Sequence, residues 1–159
     1  SKTVRVFKGQ PVTIKKSNFL GFGCIVSTYK EVSTFYNKVL SDKRVKRATH
    51  NMKAYRFYTP PTSDVEGRSS NSGLIHHDCD DDGESAAGTK IAELIRLMNI
   101  VPFKEDKKKG ALVPGTGLAV IVSRWYGGIL LGPDRFKIIN NVARELILDM
   151  LKFYGYNDI

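Results

Sequence analysis

The chain predicts an α/β sandwich of the α+β kind: two layers, with a mixed sheet of four to five strands and helices on one of its faces. Three observations carry this. Runs of β-branched and aromatic residues occur near the start, middle and end of the chain; three other segments space their apolar residues at helical intervals; and 159 residues suit a single packed core.

Val4-Arg5-Val6-Phe7, Val12-Thr13-Ile14-Lys15 and Phe19 to Ser27 are strand-like, and Gly9-Gln10-Pro11 and Lys16-Ser17-Asn18 separate them, as in an antiparallel meander. Gly21 and Gly23 in the third run indicate a bulge or a close neighbour. Thr28-Tyr29-Lys30-Glu31 is a capping box, so a helix starts there; Val32, Phe35, Tyr36, Val39 and Leu40 form its apolar stripe, and it ends near Ser41-Asp42. Met52 to Tyr58 suits a strand, and Thr59 to Gly73 reads as a loop rich in Pro, Ser, Thr and Gly. Ala87, Ile91, Leu94, Ile95 and Met98 mark a second helix that Pro102 closes. After a second loop, Lys104 to Gly117, the continuous apolar run Leu118 to Val122 has the pattern of a strand covered on both faces. Pro133 suits the first position of a last helix whose stripe is Phe136, Ile139, Ala143, Leu146, Ile147, Met150 and Tyr154. The predicted order is βββ-α-β-α-β-α, a single domain over 1–159.

A formal charge of +9 is unevenly placed, because Asp78, Asp80, Asp81, Asp82 and Glu84 lie within one short stretch that holds no base. Elsewhere 25 bases face 11 acids, a balance of +14. Such a surface attracts polyanions, RNA or an acidic protein face, or serves solubility alone. The basic stretches are Lys43, Arg44, Lys46 and Arg47, and Lys107, Lys108 and Lys109. Two cysteines without CxxC spacing indicate a reducing compartment, and no apolar run is long enough for a membrane span, so the cytoplasm is expected.

Three motifs bear on chemistry. In the acidic stretch, Asp78, Asp80 and Asp82 alternate like the start of a calcium loop, but Thr89 stands where the bidentate glutamate belongs; magnesium on one or two carboxylates stays open. The structural alternative is that these acids favour the positive end of the helix that follows and pair with Arg124 and Arg135. His76-His77-Asp78-Cys79 holds zinc-ligand and nucleophile residue types, yet consecutive residues on an extended chain point to opposite faces, which favours ordinary polar loop residues. Finally, Arg124, Trp125, Tyr126, Gly127, Gly128 and Arg135 join the apolar run to the last helix. Glycines and arginines there suit an anion and the aromatics a partner, although neither nucleotide-binding glycine motif is present.

Ala48-Thr49-His50-Asn51 with Ala54-Tyr55-Arg56, then DCDDDGESAAG at 78–88, then VSRWYGGILLGPDRFKIINN at 122–141, together resemble the Impact family, and the third segment resembles its eukaryotic branch. The resemblance runs through almost the whole chain. It implies a fold like the second domain of a small-subunit ribosomal protein and domain four of the translocating elongation factor. It further implies kinship with translational regulators that compete with the starvation-responsive initiation-factor-two kinase for its ribosome-associated activator, some of which bind monomeric actin. Those regulators carry a preceding domain outside the resemblance, so the sequence is expected to be either the ancient domain of a longer protein or a short relative. The resemblance brings no catalytic residue and no cofactor. The expected function is therefore a non-enzymatic regulatory module docking on a protein partner, with no metal. The alternatives are an RNA- or ribosome-binding domain and, third, a metal-dependent enzyme acting on a phosphorylated substrate.

Overall fold

In a computed structural model the described residues are 4–62, 66–67, 72–103 and 113–156. Their elements are β1 (Phe7–Lys8), β2 (Val12–Ile14), β3 (Ser17–Val26), α1 (Tyr29–Leu40), α2 (Lys43–Lys46), β4 (His50–Thr59), β5 (Leu74–Asp80), α3 (Ala87–Met98), β6 (Gly117–Trp125) and α4 (Asp134–Phe153). One sheet runs β1-β3-β6-β4-β5, with β2 also pairing β3. The α+β class is as predicted, but the sheet differs in two respects. It has six strands, and every neighbouring pair is antiparallel, so it is not mixed. The last strand, β6, inserts between β3 and β4 and runs opposite to both.

Helices cover both faces of the sheet, where one had been expected. Alternation along β3 and β6 explains this. Phe19, Ile25, Leu118, Val120 and Val122 pack with Ile91 and Ile95 of α3 and Ile139, Leu146 and Ile147 of α4. Leu20, Phe22, Cys24, Val26, Ala119 and Ile121 pack instead with Val32, Phe35 and Val39 of α1. Strands buried on both faces are apolar at every position, and a one-faced sheet would have alternated.

Local signals hold well in α1: the Thr28 hydroxyl accepts the Glu31 N–H at 3.1 Å. Gly21 is explained by close approach, since a Cβ there would stand 3.1 Å from Leu146 Cδ2 of α4. Two elements had no sequence forecast. The first is α2, one turn capped by Asp42, whose Oδ1 accepts from Arg44 N at 2.8 Å and Val45 N at 3.2 Å. The second is the edge strand β5, which among the described residues pairs only with β4 and so makes a strand, not a loop, of the His76–Cys79 stretch. Among the described residues no helix is long and apolar enough to cross a membrane.

Candidate functional site

The three motif segments, far apart in sequence, meet at one end of the sheet. Register sets Arg124, near the end of β6, opposite Phe19 on one side and His50 on the other. Its neighbours lock the corner: Thr49 N–H donates to the Arg124 carbonyl at 2.8 Å, and the Ser123 hydroxyl donates to Asn51 Oδ1 at 2.6 Å. Asn51 Nδ2 in turn donates to the Val45 carbonyl of α2 at 3.1 Å.

Of the five acids in the acidic stretch, only Glu84 meets the arginines. Its Oε2 lies 2.6 Å from Arg124 Nη1, and its Oε1 lies 2.8 Å from Arg135 Nε, close enough for an ion pair although that N–H is not aligned for a hydrogen bond. His50 Nε2 stands 3.6 Å from the same Oε2, while its Nδ1 lies 2.8 Å from the Asp82 carbonyl. A carbonyl only accepts, so Nδ1 carries the proton of that bond. Both Glu84 and Arg124 side chains are only 7% exposed, whereas Arg135 keeps 28%. Two guanidinium groups against one carboxylate leave a net positive charge.

The remaining carboxylates are engaged elsewhere. Asp81 caps α3 from outside, accepting from Ala86 N at 3.2 Å and Thr89 N at 3.1 Å; this is what lets the helix begin at a residue with no capping side chain of its own. Asp82 accepts from Asn51 N at 2.7 Å. Asp80 accepts from Asp82 N at 2.9 Å, which holds its carboxyl below the usual range, helped by Lys53 at 3.4 Å. Asp78 accepts from the next amide, Cys79 N, at 2.8 Å. Among the described residues no three His, Cys, Asp or Glu side chains gather to hold a metal ion. His76 is occupied too: it stacks on Phe57 and lies 2.9 Å from the Tyr29 hydroxyl.

The tryptophan loop divides into a fixed half and an open half. Trp125 is pinned: Nε1 donates to the Arg44 carbonyl at 3.1 Å, and the Arg44 guanidinium sits 5.2 Å from its ring centre. Tyr126 N and Gly127 N donate to Thr49 Oγ1 (2.9 Å) and Ser17 Oγ (3.2 Å), so these two amides do not cradle an anion and the guanidinium groups are left as the cationic element. Gly127 lies against the Lys16 carbonyl so closely that a Cβ has no room. Gly128 turns the chain at φ +91° into open space. Tyr126 before it and Ile129 and Leu130 beyond it are exposed at 46%, 41% and 80%.

These parts enclose a cleft of about 270 Å³ lined by Thr49, His50, Glu84, Arg124, Tyr126, Leu130, Leu131, Gly132 and Arg135. Thr49 and His50 escape a reading by motif chemistry because the register of β4 on β6 brings them here, and Leu130 because an aliphatic side chain in the tryptophan loop carries no chemical signature; the signal available was their presence in the first and third resemblance segments. Lys43, Arg44, Lys46 and Arg47 are exposed on or beside α2, next to Trp125, and Lys15 and Lys16 join them at this end of the sheet. Lys107, Lys108 and Lys109 lie outside the described residues.

The chain matches the Impact N-terminal domain over residues 15–103 and 114–147, which hold all the lining residues of the cleft. It is 38% identical to Protein IMPACT of Danio rerio over 150 residues, covering 94% of this chain and 38% of that one. It is 36% identical to Protein IMPACT of Homo sapiens over 141 residues, covering 89% of this chain and 36% of that one. The Schizosaccharomyces pombe Protein IMPACT homolog is also 36% identical over 141 residues, which are 41% of its length. The chain thus spans well under half of these relatives. The solved structure of the two-domain translational regulator Yih1 is similar at a TM-score of 0.53 and 29% identity, over 96% of this chain and 48% of that one. A crystal structure of a hypothetical protein, at a TM-score of 0.57 and 22% identity, shares the fold. On the matched residues, the identities and the fold, this chain belongs to the Impact N-terminal domain family, related to the Impact and Yih1 translational regulators.

Proposed function

We propose that the chain is a non-enzymatic docking module of translational control. It binds a protein partner through the open half of the tryptophan loop and the cationic cleft beneath it. One observation carries the reading: Tyr126, Ile129 and Leu130 stand exposed beside a cleft whose two arginines outnumber its one carboxylate. An aromatic and aliphatic patch next to desolvated arginine is the composition of an interface hot spot, and the net charge selects a partner with an acidic group beside an apolar one. In kinship with the regulators above, that partner is the ribosome-associated activator of the starvation-responsive kinase, for which the chain competes with the kinase; monomeric actin is a second partner. The site acts in the cytoplasm.

Arg124 is too deeply paired with Glu84 to serve as a clean probe, so the test variant is Tyr126→Ala/Leu130→Ala. Capture of the activator by the immobilised chain is expected, and the variant weakens it at least about tenfold. Full capture by the variant would remove the loop from the interface, and no capture by the parent chain would remove this partner.

A second reading, RNA or ribosome binding, has its own support. Lys15, Lys16, Lys43, Arg44, Lys46 and Arg47 share one end of the sheet with Trp125 and Tyr126. It requires RNA affinity that falls steeply with salt, and filter retention indifferent to salt would exclude it.

A further inference from the structure

A separate groove lies between β2 and α4, with a volume of about 310 Å³ and no lining residue in common with the cationic cleft. Val12 and Ile14 of β2 form one wall, and Ile138, Val142 and Leu146 of α4 form the floor. The outer lip is Asn141, Glu145 and Asp149, spaced four residues apart and therefore stacked on one line of the helix. All three are exposed, and among the described residues neither carboxylate has an ion-pair partner. On a chain of net charge +9, this lip pairs apolar surface with uncompensated negative charge. Lys15 and Lys16 follow Ile14 at one mouth of the groove, but screening confines each charge to about 8 Å at physiological salt, so a ligand on the Glu145–Asp149 side senses the two carboxylates more than those lysines.

We propose that this groove is a second docking site, and that its occupant is an amphipathic helix of a partner protein that presents apolar anchors flanked by Lys or Arg. Helical form follows from the walls. β2 offers a ladder of only three residues, preceded by Pro11 and ended by a turn in which Lys15 and Lys16 have positive φ, which suits strand addition poorly. The stretch of α4 from Ile138 to Asp149 gives a floor of about 17 Å at 1.5 Å per residue, three turns of a helix laid beside it.

The test uses a fluorescein-labelled leucine/lysine helical peptide of about 12 residues, the length that fills such a floor, and its leucine/glutamate counterpart. Anisotropy is expected to show binding of the lysine peptide alone, weakened about tenfold or more by Glu145→Lys/Asp149→Lys and less by Glu145→Gln/Asp149→Asn. Amide shifts should concentrate at Val12, Ile14, Ile138 and Val142. Equal binding of the glutamate peptide, unchanged affinity in the charge-reversed variant, or shifts confined to Tyr126–Leu130 would overturn the proposal. So would self-association of the chain that produces the same shifts, since the groove would then seat a second copy. Because the Tyr126→Ala/Leu130→Ala variant leaves the groove intact, it should bind the lysine peptide unchanged whether or not it captures the activator.

Discussion

Replacing Glu84 by glutamine removes one negative charge and almost no volume. In the native chain that carboxylate faces Arg124, whose side chain is 7% exposed and whose buried Nε has no hydrogen-bond partner among the described residues. A guanidinium held so deep cannot recover its hydration by rotating outward. Breaking a buried pair by removing one partner costs about 3–5 kcal/mol, most of it the desolvated charge left behind. Arg135 adds little, because at 28% exposure it can turn to water. The lower end, about 3 kcal/mol, is therefore expected for Glu84→Gln. For a chain of this size that lowers Tm by about 6–12 °C. Urea unfolding followed by circular dichroism should move the midpoint and leave the slope unchanged. Arg135→Ala should cost less than about 1 kcal/mol, and Glu84→Leu/Arg124→Met should recover much of the loss, since an apolar pair of similar volume needs no compensation. A Glu84→Gln variant within about 0.5 kcal/mol of the parent, the range of an ordinary surface substitution, would refute the idea that this ion pair holds the corner.

Gly127→Ala places a methyl against the Lys16 carbonyl, which is backbone and cannot swing away, so a loss of about 1–3 kcal/mol is expected in the same urea assay. The two thiols should separate cleanly in maleimide labelling at neutral pH. Burial, with Glu31 adding to it, pushes Cys24 up to about 11, so Cys24 reacts only on unfolding, while half-buried Cys79 reacts in the native chain. Asp80 is held below its usual value of 3.8 by the Asp82 amide and Lys53, so its contribution is complete above that pH and is lost as pH falls through the lowered value. Asp80→Asn should accordingly flatten the acid limb of the stability profile and leave the alkaline limb alone. The effect is small, because the carboxylate is 60% exposed.

Local signals were legible wherever a few neighbouring residues decide the outcome. Thr28 and Glu31 mark the start of α1, and the apolar spacing of α3 and α4 survives intact. The continuous run Leu118 to Val122 already implied helices on both sides, and in that respect it outweighed the simpler one-faced sandwich. β5 was hidden because an edge strand needs little apolar surface: His77, Asp78 and Asp80 are exposed, and its contacts, such as His76 on Phe57, are with one neighbour. The pairing of the acidic stretch with the arginines was visible as charge, but which acid makes it was not. Glu84 is chosen by the turn at Asp82 and Gly83, both at positive φ, and by Asp81, Asp82 and Asp80 being drawn to the α3 amides, Asn51 and Lys53. Sequence distance also concealed Thr49 and His50, which reach the cleft through the register of β4 on β6.

The position of β6 also has a consequence for synthesis. Among the described strands it is the last in chain order and the middle rung of the sheet. Until residue 125 exists, β1, β2 and β3 form one fragment and β4 with β5 another, and no strand joins them. Each half then exposes an open edge of β3 or β4, rich in apolar side chains, to whatever else is nearby. Closing the sheet spans about a hundred residues of chain between β3 and β6, so folding should be slow relative to a helical bundle of equal length and should come only after β6 has been made.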